Sequence, residues 1–193
     1  MDRLKIVGLG GSLRPHSSSG RFLELILGFL AERGHDTRAL LLADLRLPGF
    51  ECCENLEDYP EGVHVMLNEV RSADVVVFST PVYHGTLSGA MKNAMDFLEY
   101  LSSDPTPYLT GKVIGLISTS GGTPGINAIN TMDYVSRALH GWVSPTTVAI
   151  PESYRQFDAD GRLKDEKIKV RLEKMAIELE FAALRFKLSP HTF

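Results

Sequence analysis

The spacing of apolar residues along the chain predicts alternating strands and helices. Short continuous apolar runs, typical of strands buried on both faces, occur five times. They cover residues 4–9, 37–43, 74–80, 112–118 and 143–150. Pro145 weakens the start of the last run, because proline has no backbone N–H to donate to a neighbouring strand.

Apolar residues at helical spacing follow each of these runs. Helices are predicted from residue 19 to Gly34, after Pro60, and over residues 88–101, 126–140 and 166–187. Five successive strand–helix units predict a parallel sheet covered by helices on both faces. We therefore expect an α/β, flavodoxin-like three-layer sandwich with strand order 2-1-3-4-5, forming one domain over residues 1–193.

Sheets of this kind bind ligands at the carboxyl ends of their strands, which selects three loops. The first reads GGSLRPHSSSG and lacks both the Gly-Lys-Ser/Thr of a P-loop and the spacing of a dinucleotide fingerprint. Its hydroxyls, a helix N-terminus and one arginine favour a terminal phosphate monoester, although serines also cap helices. The candidate residues are Ser12, Arg14, Ser17, Ser18 and Ser19.

The second loop follows the third strand and contains glycine, proline and an aromatic residue. Its backbone amides are suited to the polar edge of a flat heterocycle, with Tyr83 packing nearby. His84 is open to three interpretations: a hydrogen-bond donor, a general acid or a surface residue. The candidate residues are Pro81, Val82, Tyr83, His84, Gly85 and Thr86.

The third loop, STSGGTPG, follows the fourth strand and is rich in small residues. Small side chains let a planar ring approach the backbone, although glycine and serine are also common in ordinary turns. Its position beside the other two loops is what makes it a candidate. The residues concerned are Ser118, Ser120, Gly121 and Gly122.

Composition and charge argue against some classes of binding partner and indicate the cellular compartment. The 193 residues carry a net charge of −4 with acids and bases mixed, which argues against nucleic acid and polybasic membrane binding. No apolar run approaches the length of a spanning helix, and the first residues enter a strand directly, so we expect a cytoplasmic protein. Cys52 and Cys53 are adjacent, which favours free thiols.

The motifs together resemble the NADPH-dependent FMN reductase family. Gly-Ser-Leu-Arg at residues 11–14 is similar to the family's first motif, and the serines 17–19 extend it. Pro-Val-Tyr-His at 81–84 and the stretch 89–96, GAMKNAMD, resemble the second. The Ser/Gly-rich turn at 118–122 matches the third. His84 departs from an asparagine common in the family, and Val82 from a glutamate.

The resemblance implies bound FMN, with NADPH or NADH as co-substrate. It places the phosphate on Ser12, Arg14 and the serines 17–19, and the isoalloxazine between residues 81–86 and 118–122. Hydride would pass from nicotinamide to flavin N5, so no dedicated catalytic side chain and no metal site are expected. The family implies a homodimer or homotetramer.

The acceptor stays open at this point. Relatives with Pro-Val-Tyr resemble reductases that supply reduced flavin to monooxygenases, whereas quinone, azo-dye and metal-ion reductases more often resemble the asparagine pattern. A flavodoxin-like electron carrier is the alternative without a nicotinamide step, but its typical phosphate loop and acidic surface are lacking. A receiver domain would need an acidic pair after strand 1, where this chain has glycines.

Overall fold

The computed structural model describes residues 2–51, 55–122 and 125–188, so Cys52 and Cys53 lie outside the described residues. The strands are β1 Lys5–Gly10, β2 Asp36–Leu41, β3 Val75–Tyr83, β4 Thr86–Leu87, β5 Val113–Thr119, β6 Trp142–Val143 and β7 Val148–Ile150. The α-helices are α1 Ser18–Glu32, α2 Leu42–Leu45, α3 Glu61–Ser72, α4 Gly89–Asp96, α5 Ile126–Ala138 and α6 Glu166–Leu188. Short 3₁₀ helices occupy Leu56–Asp58, Phe97–Leu101 and Ser153–Arg155.

The main sheet is parallel, with the order β2-β1-β3-β5-β6. β7 also pairs with β5, so β6 and β7 together fill the fifth strand position. The predicted order 2-1-3-4-5 is confirmed, because β5 is the fourth parallel strand and β6 with β7 is the fifth.

Helices cover both faces of this sheet, as the sequence predicted. On one face, α1 and α6 bury a core with side chains such as Phe22, Ile26 and Leu179 against the strands. On the other face, α3, α4 and α5 bury a second core around Phe78 and Met91. Alternate residues of the central strands β1, β3 and β5 feed the two cores, so these strands are apolar on both sides.

The edge strand is interrupted at the proline that the sequence had marked as its weak point. Val143 pairs with Ile114, and Val148 pairs with Ile117. From the first pair to the second, the edge chain advances by five residues, whereas β5 advances by only three. The extra chain around Pro145 bulges out of the ladder. Such a bulge is tolerated here because no strand among the described residues pairs with the outer side of this edge.

The segment after the third strand differs in form from the predicted loop. β3 continues through Pro81 to Tyr83, and a tight turn then leads into β4, which pairs antiparallel with it. The turn residues His84 and Gly85 both have positive φ, 50° and 88°. Two such residues in succession suit the right-handed twist of a two-residue hairpin.

Two further elements differ in their bounds. The predicted helix over 88–101 is α-helical to Asp96 and continues as a 3₁₀ helix from Phe97. The second strand ends at Leu41 rather than residue 43, and one turn of helix follows it. Within the described residues, no helix combines the length and apolar character needed to cross a bilayer.

Candidate functional site

The first and second candidate loops meet at the carboxyl edge of the sheet. The Gly11 N–H donates to the Ser79 carbonyl at 2.8 Å, and the buried Ser88 hydroxyl donates to the Gly11 carbonyl at 2.6 Å. The Thr80 hydroxyl accepts from the Ser88 N–H at 3.1 Å. A Cβ atom at Gly11 would lie only 2.9 Å from side-chain atoms of Met91. The junction between the two loops therefore has room for the backbone of residue 11 but not for a side chain there.

The first loop ends in a well-formed helix N-terminus. The Ser17 hydroxyl caps α1 by accepting from the Gly20 N–H at 3.1 Å, and the first turn contains no acidic residue. The Ser12 side chain is buried, and its hydroxyl accepts from the Arg14 N–H at 3.1 Å. The positive end of the helix dipole therefore faces the loop, with no carboxylate in the first turn of α1.

Not all the predicted serines share that setting. Ser18 is half-buried as the first helical residue. Ser19 is buried, its carbonyl accepts from the Ser79 hydroxyl at 2.8 Å, and its own hydroxyl lies 3.3 Å from that of Ser17. Ser19 therefore connects α1 to β3.

A cleft of about 800 Å³ opens beside the first loop. On one side it is bounded by the loop and α1, with Ser12, Leu13, Arg14, Pro15, His16, Ser17, Gly20, Arg21 and Glu24. On the other side it is bounded by the end of β2 and by α2 with its C-cap, with Leu41, Ala43, Asp44 and Arg46. Within the described ranges, the guanidinium groups of Arg14 and Arg46 form no ion pair. The cleft therefore offers cations without partners next to a helix N-terminus.

The second loop presents its polar tip to solvent. Pro81 and Val82 are half-buried in β3, whereas Tyr83, His84, Gly85 and Thr86 are exposed. The Thr86 hydroxyl lies 3.0 Å from the Thr131 hydroxyl, which ties β4 to α5. Tyr83 is 42% exposed, enough to offer a ring face to a ligand.

The third loop lies directly alongside, because Thr80 and Pro81 pair with Ser118 and Thr119. Ser118 is fully buried, and its hydroxyl donates to the Gly125 carbonyl at 3.0 Å, which closes the loop. Ser120 is also largely buried, whereas Gly121 and Gly122 are exposed. Among the described residues of this loop, the exposed part is thus the glycine backbone.

Sequence reasoning missed two kinds of residue. The first kind comprises Thr80 and Ser88, whose side chains hold the loops together. Ser88 also caps α4, because its hydroxyl accepts from the Met91 N–H at 3.0 Å. Its position just before a predicted helix could have indicated this role. The second kind is Arg46, which no sequence pattern indicated as a site residue. It lines the same cleft as Arg14 only because β2 pairs with β1 in the folded sheet.

Comparison with known proteins agrees with this geometry. A family model described as NADPH-dependent FMN reductase matches residues 4–155. The NADPH-dependent FMN reductase ArsH of Shigella flexneri is 29% identical over 195 residues, covering 97% of this chain and 71% of that protein. An NAD(P)H-dependent FMN reductase of Pseudomonas aeruginosa is 26% identical, covering 96% and 98%.

Similar proteins with other names are also found. A probable NADPH:quinone oxidoreductase of Oryza sativa is 27% identical and covers 97% of this chain and 92% of its own length. An FMN-dependent NADPH-azoreductase of Staphylococcus haemolyticus is 36% identical over 110 residues, covering 56% of this chain and 51% of that protein.

Solved structures support the fold. RosB, in complex with 8-demethyl-8-formylriboflavin-5'-phosphate, superposes with a TM-score of 0.78 at 16% identity, covering 98% of this chain and 82% of RosB. A flavodoxin of Streptococcus pneumoniae superposes with a TM-score of 0.56 at 18% identity, covering 91% and 96%. The chain belongs to the NADPH-dependent FMN reductase family, and is an oxidoreductase of flavodoxin-like fold that uses FMN and NADPH.

Proposed function

We propose that FMN binds at the carboxyl edge of the sheet, with its phosphate on the first loop. Ser12, Arg14 and Ser17 border the cleft there and would hold the phosphate, while Ser18 and Ser19 contribute backbone amides at the start of α1. The observation that carries the proposal is the guanidinium of Arg14, without an ion pair in the described ranges, beside an acid-free helix N-terminus.

The isoalloxazine would lie between the second and third loops. The exposed backbone of Gly121 and Gly122 allows a planar ring to approach closely, and Tyr83 offers an aromatic face on the other side. Gly85 and Thr86, at the hairpin tip, would border the same space. Pro81, Val82, Ser118 and Ser120 are less exposed and support the ring site mainly through the backbone.

Bound FMN would supply the redox chemistry, with its N5 as the hydride acceptor between the nicotinamide and the final electron acceptor. The chain's own contribution is orientation and charge. Arg14 and the helix amides neutralise the phosphate, and the hydrogen-bonded junction of Gly11, Thr80 and Ser88 fixes the distance between phosphate and ring sites. No side-chain acid or base is needed. His84 lies in the turn of the hairpin, where its exposed side chain would border the ring site together with Gly85 and Thr86.

The acceptor that we propose is free flavin, supplied in reduced form to a partner such as a flavin-dependent monooxygenase. The names of the two FMN reductases among the relatives support this acceptor. A quinone, azo dye or metal ion is the second candidate, favoured by the quinone oxidoreductase and azoreductase relatives. We further propose a cytoplasmic homodimer or homotetramer, consistent with the net charge and family type.

The phosphate site is tested by Arg14→Ala. Loss of a charge-assisted hydrogen bond costs about 1.5–3 kcal/mol, so FMN affinity should fall about tenfold or more. Riboflavin, which has no phosphate, should bind with nearly unchanged affinity. Fluorescence quenching of both flavins measures this, and Arg137→Ala, an exposed residue of α5 ion-paired to Asp133, is the matched control.

Equal losses for FMN and riboflavin would remove Arg14 from the phosphate site. Wild-type protein should be yellow or take up added FMN, and NADPH should bleach it without oxygen. Protein that never binds FMN would refute the proposed cofactor site. A panel of free FMN, quinones, azo dyes and oxygen, with NADPH or NADH as donor, then distinguishes the acceptors.

A further inference from the structure

The cleft beside the first loop extends well beyond the proposed phosphate position. Its far wall is formed by the end of β2 and by the single turn of α2 with its C-cap, together called the β2–α2 turn, which contribute Leu41, Asp44 and Arg46. A terminal phosphate held on Ser12, Arg14 and Ser17 would occupy only one end. A volume of about 800 Å³ leaves space for a second group of nucleotide size.

The position of Arg46 in the wall of this space is fixed by its backbone. It adopts a left-handed conformation with φ 49°, and its N–H donates to the Leu42 carbonyl at 3.3 Å to end α2. Its side chain is exposed and has no carboxylate partner among the described residues. Arg21, by contrast, lies 3.8 Å over the Phe157 ring and is already engaged. A free guanidinium in a cleft is a ready site for phosphate.

The other surfaces of the cleft suit the rest of a nucleotide. Leu13 is 64% exposed, and with Leu41 it provides an apolar surface on which a purine can pack. Glu24 and Asp44 lie in the same cleft without an ion pair in the described ranges. Carboxylates placed in this way repel a lone anion but accept hydrogen bonds from ribose hydroxyls.

Together these groups define one ligand chemistry. We propose that the cleft between the first loop and the β2–α2 turn binds an adenosine phosphate, with Arg46 holding a phosphate group. NADPH and FAD both carry such a moiety, so both are candidate sources. The inference rests on the proposed FMN site, because it assigns only the part of the cleft that FMN's own phosphate leaves free.

The spacing of the strand ends allows the adenosine phosphate to belong to either NADPH or FAD. β2 neighbours β1, and β1 neighbours β3, so the ends of β2 and β3 lie about 10 Å apart at a strand spacing of about 4.8 Å. An extended dinucleotide with its nicotinamide on the ring site can cross that gap. The adenosine of FAD would follow directly from the phosphate on the first loop.

The experiment titrates 2',5'-ADP and 5'-AMP into FMN-loaded protein by calorimetry. At least one should bind, and Arg46→Asn should weaken it about tenfold or more while FMN affinity stays within about twofold. Asparagine is chosen because it tolerates the left-handed backbone. Arg137→Asn is the control and should leave both ligands unaffected.

Two arms distinguish the sources. If the source is NADPH, 2',5'-ADP competes with NADPH, and Arg46→Asn raises the KM for NADPH without lowering kcat. If the source is FAD, the apoprotein binds FAD more tightly than FMN, and Arg46→Asn removes that difference. Either result supports the assignment of the cleft.

Other outcomes would overturn it. FMN-loaded protein that binds neither adenosine phosphate refutes this inference and leaves the proposed function intact. Equal effects of the Arg46 and Arg137 variants refute the role of Arg46. Protein that takes up no FMN refutes the proposed function, and with it the present assignment.

Discussion

At the scale of single residues, Glu178 of α6 shows how one carboxylate can stabilise an irregular strand. Its Oε2 accepts from the Ser144 hydroxyl at 2.9 Å and the Thr146 N–H at 3.0 Å, and its Oε1 from the Thr146 hydroxyl at 2.8 Å. Burial alone would raise the pKa of Glu178, but these hydrogen bonds outweigh it and hold the pKa below its ordinary value. The Thr146 N–H, which the bulge removes from the ladder, is therefore paired with Glu178.

We predict that Glu178→Ala lowers the free energy of unfolding by about 1–3 kcal/mol, because buried donors lose their acceptor. Urea denaturation at neutral pH measures the change. Glu173→Ala is the control on the same helix, since Glu173 is 43% exposed and lies 3.9 Å from Lys169. If both variants lose equally, the effect belongs to the helix and the bulge does not depend on Glu178.

Residue chemistry alone could predict only part of the site. Ser12, Arg14 and Ser17 were predicted from their types, and they do border the cleft. Ser118 was predicted to border the ring site, and the structure adds that its hydroxyl is buried against the Gly125 carbonyl. A backbone acceptor seven residues away leaves no mark in the sequence, so such pairing could not be foreseen.

At the scale of elements, the hairpin at β3–β4 carries the second loop. His84 and Gly85 occupy the two left-handed positions of its turn. This geometry gives a physical reason for the asparagine that the resemblance associates with position 84, since asparagine enters that region more easily than most residues. The predicted strand ended at residue 80 because Pro81 suggested a loop. The pairing of β3 with β1 ends at Ser79, so Pro81 is paired on one side only, with Thr119 of β5, and the strand accepts a proline there.

We predict opposite effects for two glycine substitutions. Gly85→Ala should lower the free energy of unfolding by about 1 kcal/mol, because alanine resists positive φ. Gly28→Ala should raise it by about 0.5–1 kcal/mol, because Gly28 lies within α1 with open space around it. Thermal or urea unfolding measures both, and stabilisation by Gly85→Ala would contradict the turn.

At the scale of the whole molecule, an ion-paired cluster joins the last helix to the first two strands. Glu180 of α6 accepts from Arg33 Nε at 2.7 Å, and its Oε1 lies 3.0 Å from His35 Nε2. His35 Nδ1 accepts from the Leu4 N–H at 3.4 Å, which leaves Nε2 as the donor to Glu180. Burial would raise the pKa of Glu180, but the hydrogen bonds from Arg33 and His35 lower it overall.

We predict that this cluster contributes to acid sensitivity. The folded pKa of Glu180 lies below the unfolded value of about 4.3, so its stabilisation is complete above that pH. It is lost as the pH falls through the lowered folded pKa. Glu180→Gln should reduce stability by about 1–3 kcal/mol at pH 7 and flatten the decline in acid. Unfolding curves at a series of pH values measure this, and a parallel decline in the variant would contradict it.

The order of the sheet was predictable because it depends on patterns that repeat over many residues. Each buried strand, such as Val75–Tyr83, can be recognised from its continuous run of apolar residues. The alternation of such runs with helices implies that the strands pair in parallel. The Glu180 cluster was not predictable, because its members lie about 145 residues apart along the chain and meet only after folding. That His35 donates to a carboxylate of the last helix is visible only in three dimensions.

The interrupted edge strand also limits how folded molecules can polymerise. A continuous strand edge exposes a row of amides and carbonyls on which another chain can extend the sheet into a fibre. Here the edge comprises two residues and then three, separated by Pro145, and the Thr146 amide is already bonded to Glu178. A second molecule finds no regular ladder along this side, so the native protein is protected there against fibre growth.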